Sequence, residues 1–342
     1  MKRVGILTGG GDCPGLNPAI RGCVMRSIDH GYKSIGISEG WRGLVEGNTT
    51  ALNADIVDDI ICKGGTILGT SRTNPFKKEG AVQKCLNNMK KLKLDALVAM
   101  GGEDTLGVAS RLYKEHQVNV VGVPKTMDND LSATDFTFGF DTSVTIAVEA
   151  AERLRDTGMS HRRIMVFEVM GRHAGWVALY TAIASAADWA LLPEQPVDIE
   201  AMCKHLKKVH ARNKVALLVV SEGVQLPEDK DQKEELDEFG HMILKKRGIA
   251  VRLAEIIEEK TGAETRTAVI GHMQRGGPPT LFDRILGTRV GVAAADLIAK
   301  GTFGSMVALK GEHIVPVSLE EATGTLKVVP SEWIDFMKIF FK

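Results

Sequence analysis

The stretch "RVGILTGGGDCPGLNPAIRGCVMRSIDHG", residues 3–31, decides the fold. Residues 3–8 form an apolar run of strand length, "GGGDCPG" (9–15) a glycine loop, and "LNPAIRGCVMRSIDHG" a helix that Gly31 closes. Strand, glycine loop and helix in that order open a parallel α/β unit. The theme recurs: "SIGIS" (34–38), "ALVAM" (96–100), "VNVVGVP" (118–124), "RIMVFEVMG" (163–171) and "KVALLVVSEG" (214–223) read as strands. Helical patterns follow at 143–158, at "WVALYTAIASAAD" (176–188) and at "LFDRILGTRVGVAAADLIAKG" (281–301). Alternation of this kind predicts mainly parallel sheets covered by helices on both faces. At 342 residues the chain exceeds one comfortable core, so two such three-layer lobes are expected. The relaxed pattern "LSATDFTFGFDT" (131–142) reads as the crossing between them, and charge-dense "PEDKDQKEELDEFG" (227–240) as an exposed loop or solvated helix face.

Composition narrows the function classes. With 43 basic and 43 acidic residues the net charge is zero, which argues against a nucleic-acid surface and makes any anion site local. Five cysteines without CxxC spacing read as reduced thiols of a cytoplasmic protein. The apolar run at the start is too short for a signal peptide, and "VALLVV" (215–220) too short for a membrane span.

Five glycine-rich or polar loops, each expected at the C-terminal end of a strand, carry the chemistry: "GGGDCPGLN" (9–17), "GGTILGTSRTNPF" (64–76), "GGEDT" (101–105), "PKTMDND" (124–130) and "GHMQRGG" (271–277). In open α/β sheets that end is where ligands bind. Singly, each loop is a turn, "DND" an Asx turn and Arg72 a surface charge; five together are hard to explain as turns. No GxxxxGK[ST] occurs, so a P-loop is excluded. Pro14 stands where GxGxxG needs its third glycine, which breaks the dinucleotide fingerprint. Glu39 at the end of the second strand keeps an NAD-binding oxidoreductase as a rival. "GGEDT" is also similar to the "GGDGT" loop of NAD and lipid kinases, which lack the other loops.

Taken together, "GGGDCPGLN", "PKTMDND", "MGRHAGW" (170–176), "SEG" (221–223) and "GHMQRGG" resemble the phosphofructokinase family in order and spacing over nearly the whole chain. The resemblance implies two Rossmann-like lobes with the active site in the cleft between them. Residues 1–138 plus about 251–301 are expected to form the phosphoryl-donor lobe, and 139–250 plus about 302–342 the sugar-phosphate lobe. The reaction implied is Mg²⁺-assisted transfer to the 1-hydroxyl of fructose 6-phosphate, a step of glycolysis and gluconeogenesis. Asp128 matches the general base, with Thr126, Arg172 and Gly11 completing the catalytic set. Arg72, Gly102, Asp104, Thr105 and Lys125 match the donor site, and Glu103 and Asp130 the metal shell. Arg163, Met170, Gly171, Arg172, Glu222, Arg266, His272 and Arg275 match the sugar-phosphate site, where arginines suit a phosphate.

Within the resemblance, two departures point to the donor. ATP-using relatives have glycine where this chain has Asp104, and "PGT" where it has "PKT". A carboxylate about 4 Å from a nucleotide α-phosphate costs up to about 4 kcal/mol at an effective dielectric of 20, roughly a thousandfold. Lys125 rewards the far phosphate of a short donor. Together they match the pyrophosphate-dependent subgroup, with ATP as the rival donor and a non-catalytic nucleotide-binding module as the rival class. Acids at 103–104 also suit an exposed helix N-terminus. Glu103 replaces the commoner Asp, which leaves direct and water-bridged Mg²⁺ contact both open. At the family's effector site Arg21 and Arg155 are kept, but Met25 and Ala54 stand where further arginines belong. The resemblance also implies a homodimer or homotetramer with a shared active site, and no nucleic-acid or membrane partner.

Overall fold

The computed structural model describes residues 1–229 and 248–341. The charge-dense stretch read at 227–240 lies outside the described residues from 230 onward; its start, Pro227–Asp229, is a single turn of 3₁₀ helix. Among the described residues eleven strands form two sheets. They are β1 (Arg3–Thr8), β2 (Lys33–Ile37), β3 (Thr49–Leu52), β4 (Ala96–Gly101), β5 (Val120–Pro124), β6 (Ile164–Val169), β7 (Trp189–Leu191), β8 (Ala216–Ser221), β9 (Thr265–Val269), β10 (Ser305–Lys310) and β11 (His313–Ser318).

The larger sheet runs β11-β10-β5-β4-β1-β2-β3, parallel except at its two edges, where β3 and β11 turn back antiparallel. Alternate residues of the same strand serve opposite cores, as a two-residue period requires. Val98 and Met100 face the helices Leu16–Asp29 and Leu281–Lys300, while Leu97 and Ala99 face Trp41–Glu46 and Glu103–His116. The two helices on the first face approach closely because a Cβ on Gly291 would lie 2.1 Å from the Ala19 carbonyl. The smaller sheet, β7-β8-β6-β9, is wholly parallel, with helices on both faces.

Three expectations are corrected. The lobe boundaries shift: β10 and β11 (305–318) belong to the larger sheet, because the apolar run Met306–Leu309 is buried beside β5. Conversely β9 and the helix Ile249–Thr261 belong to the smaller sheet. The segment 64–76 follows no strand; it is coil that crosses the end of β1 after the short helix Ala54–Val57. The helix expected at 176–188 ends at Ala184, because Ala186 takes a left-handed φ of 50° and the chain enters β7. The crossing at 131–142 is tied down by bridges of Leu131 to Leu326 and of Phe138 to Lys125 before a helix starts at Phe140. No helix among the described residues is long and apolar enough to cross a membrane. Of the five free cysteines, Cys62 alone is exposed.

Candidate active site

The site grows from the C-terminal ends of β1, β4 and β5, which lie side by side. The Gly9 amide continues the ladder onto the Met100 carbonyl at 3.0 Å, and the Lys125 amide onto Gly101 at 3.0 Å. The Thr105 side chain fills the space between the first two ends. A Cβ on Gly9 would meet its hydroxyl at 2.5 Å, and one on Gly101 its Cβ at 2.3 Å. Both positions therefore require glycine. The coil 64–76 is laced over the same edge: the Gly10 amide donates to Ser71 O (3.1 Å) and the Thr70 hydroxyl to Gly10 O (2.6 Å). That lacing brings exposed Arg72 to the rim without a strand of its own.

Lys125 is 4% exposed, and its Nζ donates to the Gly11 carbonyl under the glycine loop. Burial lowers its pKa, with Asp12 and Asp128 among the groups pulling the other way. Arg275 reaches the same loop from the turn Gly271–Arg275. Its Nη1 donates to Asp12 O at 3.0 Å, and a Cβ on Gly11 would meet that nitrogen at 2.6 Å. Arg275 thus lies against the donor loop, rather than on the sugar side alone. Glu103 and Asp104 occupy the first turn of the helix Glu103–His116, behind Gly102. Acids suit that end of a helix.

The loop "PKTMDND" is shaped by its own side chains. Thr126 Oγ1 accepts the Asp128 amide (3.1 Å), and Asn129 sits at φ 52°, the left-handed region that Asn tolerates. Asn129 Oδ1 accepts the Thr137 amide at 3.2 Å, which anchors the loop to the crossing segment. The loop presents Asp128 and Asp130 on the cleft side. Burial and the Asp130 carboxylate push the Asp128 carboxyl up to about 6, against the pull of Arg275, Arg172 and Lys125. Asp128 Oδ1 is buried without a hydrogen-bond partner among the described residues. An orphaned carboxylate oxygen among cations is what a proton acceptor needs.

Across the cleft, the ends of β6 and β8 are zipped together: the Glu222 amide donates to Val169 O (2.9 Å) and Gly223 to Gly171 O (3.1 Å). This places Met170, Gly171, Arg172 and Glu222 in one cluster. Burial raises the Glu222 pKa, and the negative charge of Asp128 raises it further. Sequence reasoning missed Gln274. It is 0% exposed; its Oε1 accepts the Met170 amide (2.8 Å) and its Nε2 donates to Ser143 Oγ (3.0 Å). Its signal was present inside "GHMQRGG", but nothing local marks a glutamine as a clamp.

Three expected sugar-phosphate residues stand apart. Arg163 precedes β6 and Arg266 lies near the start of β9, and both pair with Glu264, Arg163 at 2.9 Å. From residue 163 to 170 an extended chain covers roughly 23 Å. Both arginines therefore sit at the opposite end of the sheet from their own chain's cleft. His272 is exposed on the turn after β9. The β9 edge is unpaired among the described residues, and Val269 at its end and Met273 in the turn after it are exposed.

At the expected effector site Arg21 Nε donates to Asp58 O (3.3 Å), and Met25, one turn further, is 37% exposed. Ala54 is exposed nearby, while Arg155 lies in the other lobe and pairs with Asp188 at 3.3 Å. Glu39, the candidate ribose acid of the oxidoreductase rival, is ion-paired with Arg42.

The family model described as phosphofructokinase matches residues 3–298. A curated relative from Dictyoglomus thermophilum, pyrophosphate–fructose 6-phosphate 1-phosphotransferase, is 50% identical over 99% of this chain and 98% of its own length. An ATP-dependent 6-phosphofructokinase 3 from Streptomyces coelicolor is 44% identical over 96% of each chain. Among solved structures, phosphofructokinase from Saccharomyces cerevisiae superposes with a TM-score of 0.83 at 28% identity. That match covers 95% of this chain, which spans less than half (45%) of the yeast chain.

Proposed function

The chain belongs to the phosphofructokinase family, and from that premise we propose that it transfers a phosphoryl group from pyrophosphate to the 1-hydroxyl of fructose 6-phosphate. The observation that carries the donor is Lys125, buried beneath the glycine loop with its amine at the Gly11 carbonyl. A cation there serves a phosphate lying over Gly9–Gly11, and Asp104 at the neighbouring helix start disfavours a nucleotide that continues past it. The relatives point the same way, since those about 50% identical carry a pyrophosphate name and those at 44–46% an ATP name.

Phosphoryl transfer asks mainly for positioning and charge compensation. Asp128 accepts the proton of the attacking hydroxyl. Arg172, Arg275 and Arg72 offset charge on the transferring group, and Glu222 with Met170 and Gly171 orients the sugar. Burial raises the Asp130 pKa and the nearby Glu103 carboxylate raises it further, a crowding of negative charge that a cation relieves. No group of three or more metal-ligating side chains occurs among the described residues. Two carboxylates suit Mg²⁺, which keeps several waters and takes its remaining ligands from substrate phosphates. Glu103 and Asp130 would hold it, and when bound it neutralises phosphate oxygens. The test is release of phosphate from pyrophosphate that depends on fructose 6-phosphate and Mg²⁺; no such release, with turnover on ATP instead, overturns the donor.

The separation of Arg163 and Arg266 from their own cleft supports a site shared between subunits, with the open β9 edge as the contact. An Asp128→Asn chain and an Arg163→Ser chain are each inactive alone. Mixed and reassembled, they recover up to about half of wild-type activity in a two-site heterodimer. Demonstrated subunit exchange without recovery places Arg163 in the same site as its own Asp128. The effector region predicts a second result. Because Met25 and Ala54 supply no cation, ADP or phosphoenolpyruvate leaves fructose 6-phosphate saturation hyperbolic and its midpoint unchanged. A several-fold shift in that midpoint refutes the reading.

A further inference from the structure

The segment after the helix Leu319–Thr323 crosses the front of both lobes as an extended strap, and Lys327 is where it is fastened. The Lys327 amide donates to the Asp130 carbonyl at 2.8 Å, and Leu326 bridges Leu131. The Lys327 Nζ donates to the carbonyls of Thr134 (3.1 Å) and Asp135. The same nitrogen lies 5.8 Å from the Phe136 ring centre and 5.3 Å from that of Trp176. Its carbonyl accepts Trp176 Nε1 at 2.8 Å. Two residues on, the Val329 amide donates to Glu194 Oε1 (3.0 Å), which also accepts the Gly175 amide (2.8 Å).

One side chain and its backbone therefore touch the loop that carries Asp128, the crossing between the lobes, and the start of the helix that follows Arg172. The geometry points to Lys327 as a positioning residue: it fixes the Asp128 loop at its working separation from the Arg172 loop. This rests on the reading of Asp128 as the base. Three carbonyls and two rings converge on one residue that touches no reacting group, and a ring face adds attraction for an ammonium. A side chain that merely filled space would not need a cation directed at the carbonyls of 134 and 135. Those carbonyls lie midway in the segment 131–139 that joins the Asp128 loop to the helix at Phe140, and Asp130 and Leu131 are held by the same strap, so the far end of the loop is fixed from both sides. A displacement of about 1 Å in such a loop costs about a hundredfold in rate.

Lys327→Met keeps the stem and removes the ammonium, whereas Lys327→Arg keeps the charge and the donors. In the full chain, with pyrophosphate, Mg²⁺ and fructose 6-phosphate, Lys327→Met is expected to lower kcat about 10–100-fold while both KM values stay within about twofold. Lys327→Arg is expected to recover most of the loss. Amide exchange in Lys327→Met should quicken at residues 128–137 and remain unchanged in β1 and β4. The exchange arm needs no substrate, so it decides the strap even where the donor assay fails for the wild type. A kcat within about twofold of wild type, or exchange that quickens across both lobes alike, overturns the proposal.

Discussion

Asp128→Asn is expected to lower kcat by about 10²–10⁴, the usual worth of a positioned general base. Asparagine preserves the shape of the loop, whose hydrogen bonds run through the Asp128 amide and the Asn129 side chain rather than through the Asp128 carboxylate. KM values should therefore move little, since the lost interaction belongs to the transition state. The pH dependence supplies an independent check. Burial and Asp130 push the Asp128 carboxyl up to about 6. A base works only when ionised, so kcat/KM of the wild type should fall as pH drops through about 6. In Asp128→Asn that acid limb should vanish along with most of the rate. A variant with near-normal kcat and an intact acid limb identifies another residue as the base.

The second large effect concerns the donor. Wild-type kcat/KM for pyrophosphate should exceed that for ATP by roughly a thousandfold, the size of one misplaced carboxylate near a phosphate. Asp104→Gly alone should restore little ATP use, because Lys125 still occupies the floor of the site and holds the Gly11 carbonyl. A Cβ on Gly10 would lie 3.5 Å from that Lys125 nitrogen, so the amine and the loop are in near contact. Removing both side chains, Asp104→Gly with Lys125→Gly, should raise ATP turnover further and reduce pyrophosphate turnover. Equal kcat/KM for the two donors in the wild type removes the roles given to Asp104 and Lys125. The arms also separate charge from space. Asp104→Asn removes repulsion but keeps bulk, so ATP use that rises as much as with glycine makes the carboxylate charge the dominant cause.

What was readable in the sequence is what local physics dictates. The strands β1, β4, β5, β6 and β8 announce themselves as apolar runs that end in glycine or polar residues, and each was placed within one or two residues. The loops that build the cleft are likewise short stretches whose residue types suit phosphate. β7 is not legible in the sequence because three residues carry too little periodicity; the helix expected at 176–188 stops just short of it. The expected boundary at about 302 separates β10 and β11 from the sheet they join, because a strand's partner is not written in the strand. Pairing of Ser305 with Val121 is decided by which sheet still has an open edge.

By itself, then, the amino-acid sequence determined the α/β architecture and the family, and it marked the stretches that carry Asp128, Lys125, Arg172 and Glu222, since each rests on contiguous residues with their own spacing. The tertiary structure alone decided where Arg163, Arg266, Gln274 and Lys327 belong. The first two look like ordinary site arginines until the strand direction puts them at the far end of β6 and β9. Gln274 and Lys327 act through backbone groups distant in the chain, Met170 for one and Asp130 and Thr134 for the other. Every residue has a backbone amide and carbonyl, so no side-chain pattern advertises which of them a distant glutamine or lysine will meet. Only packing selects the partner.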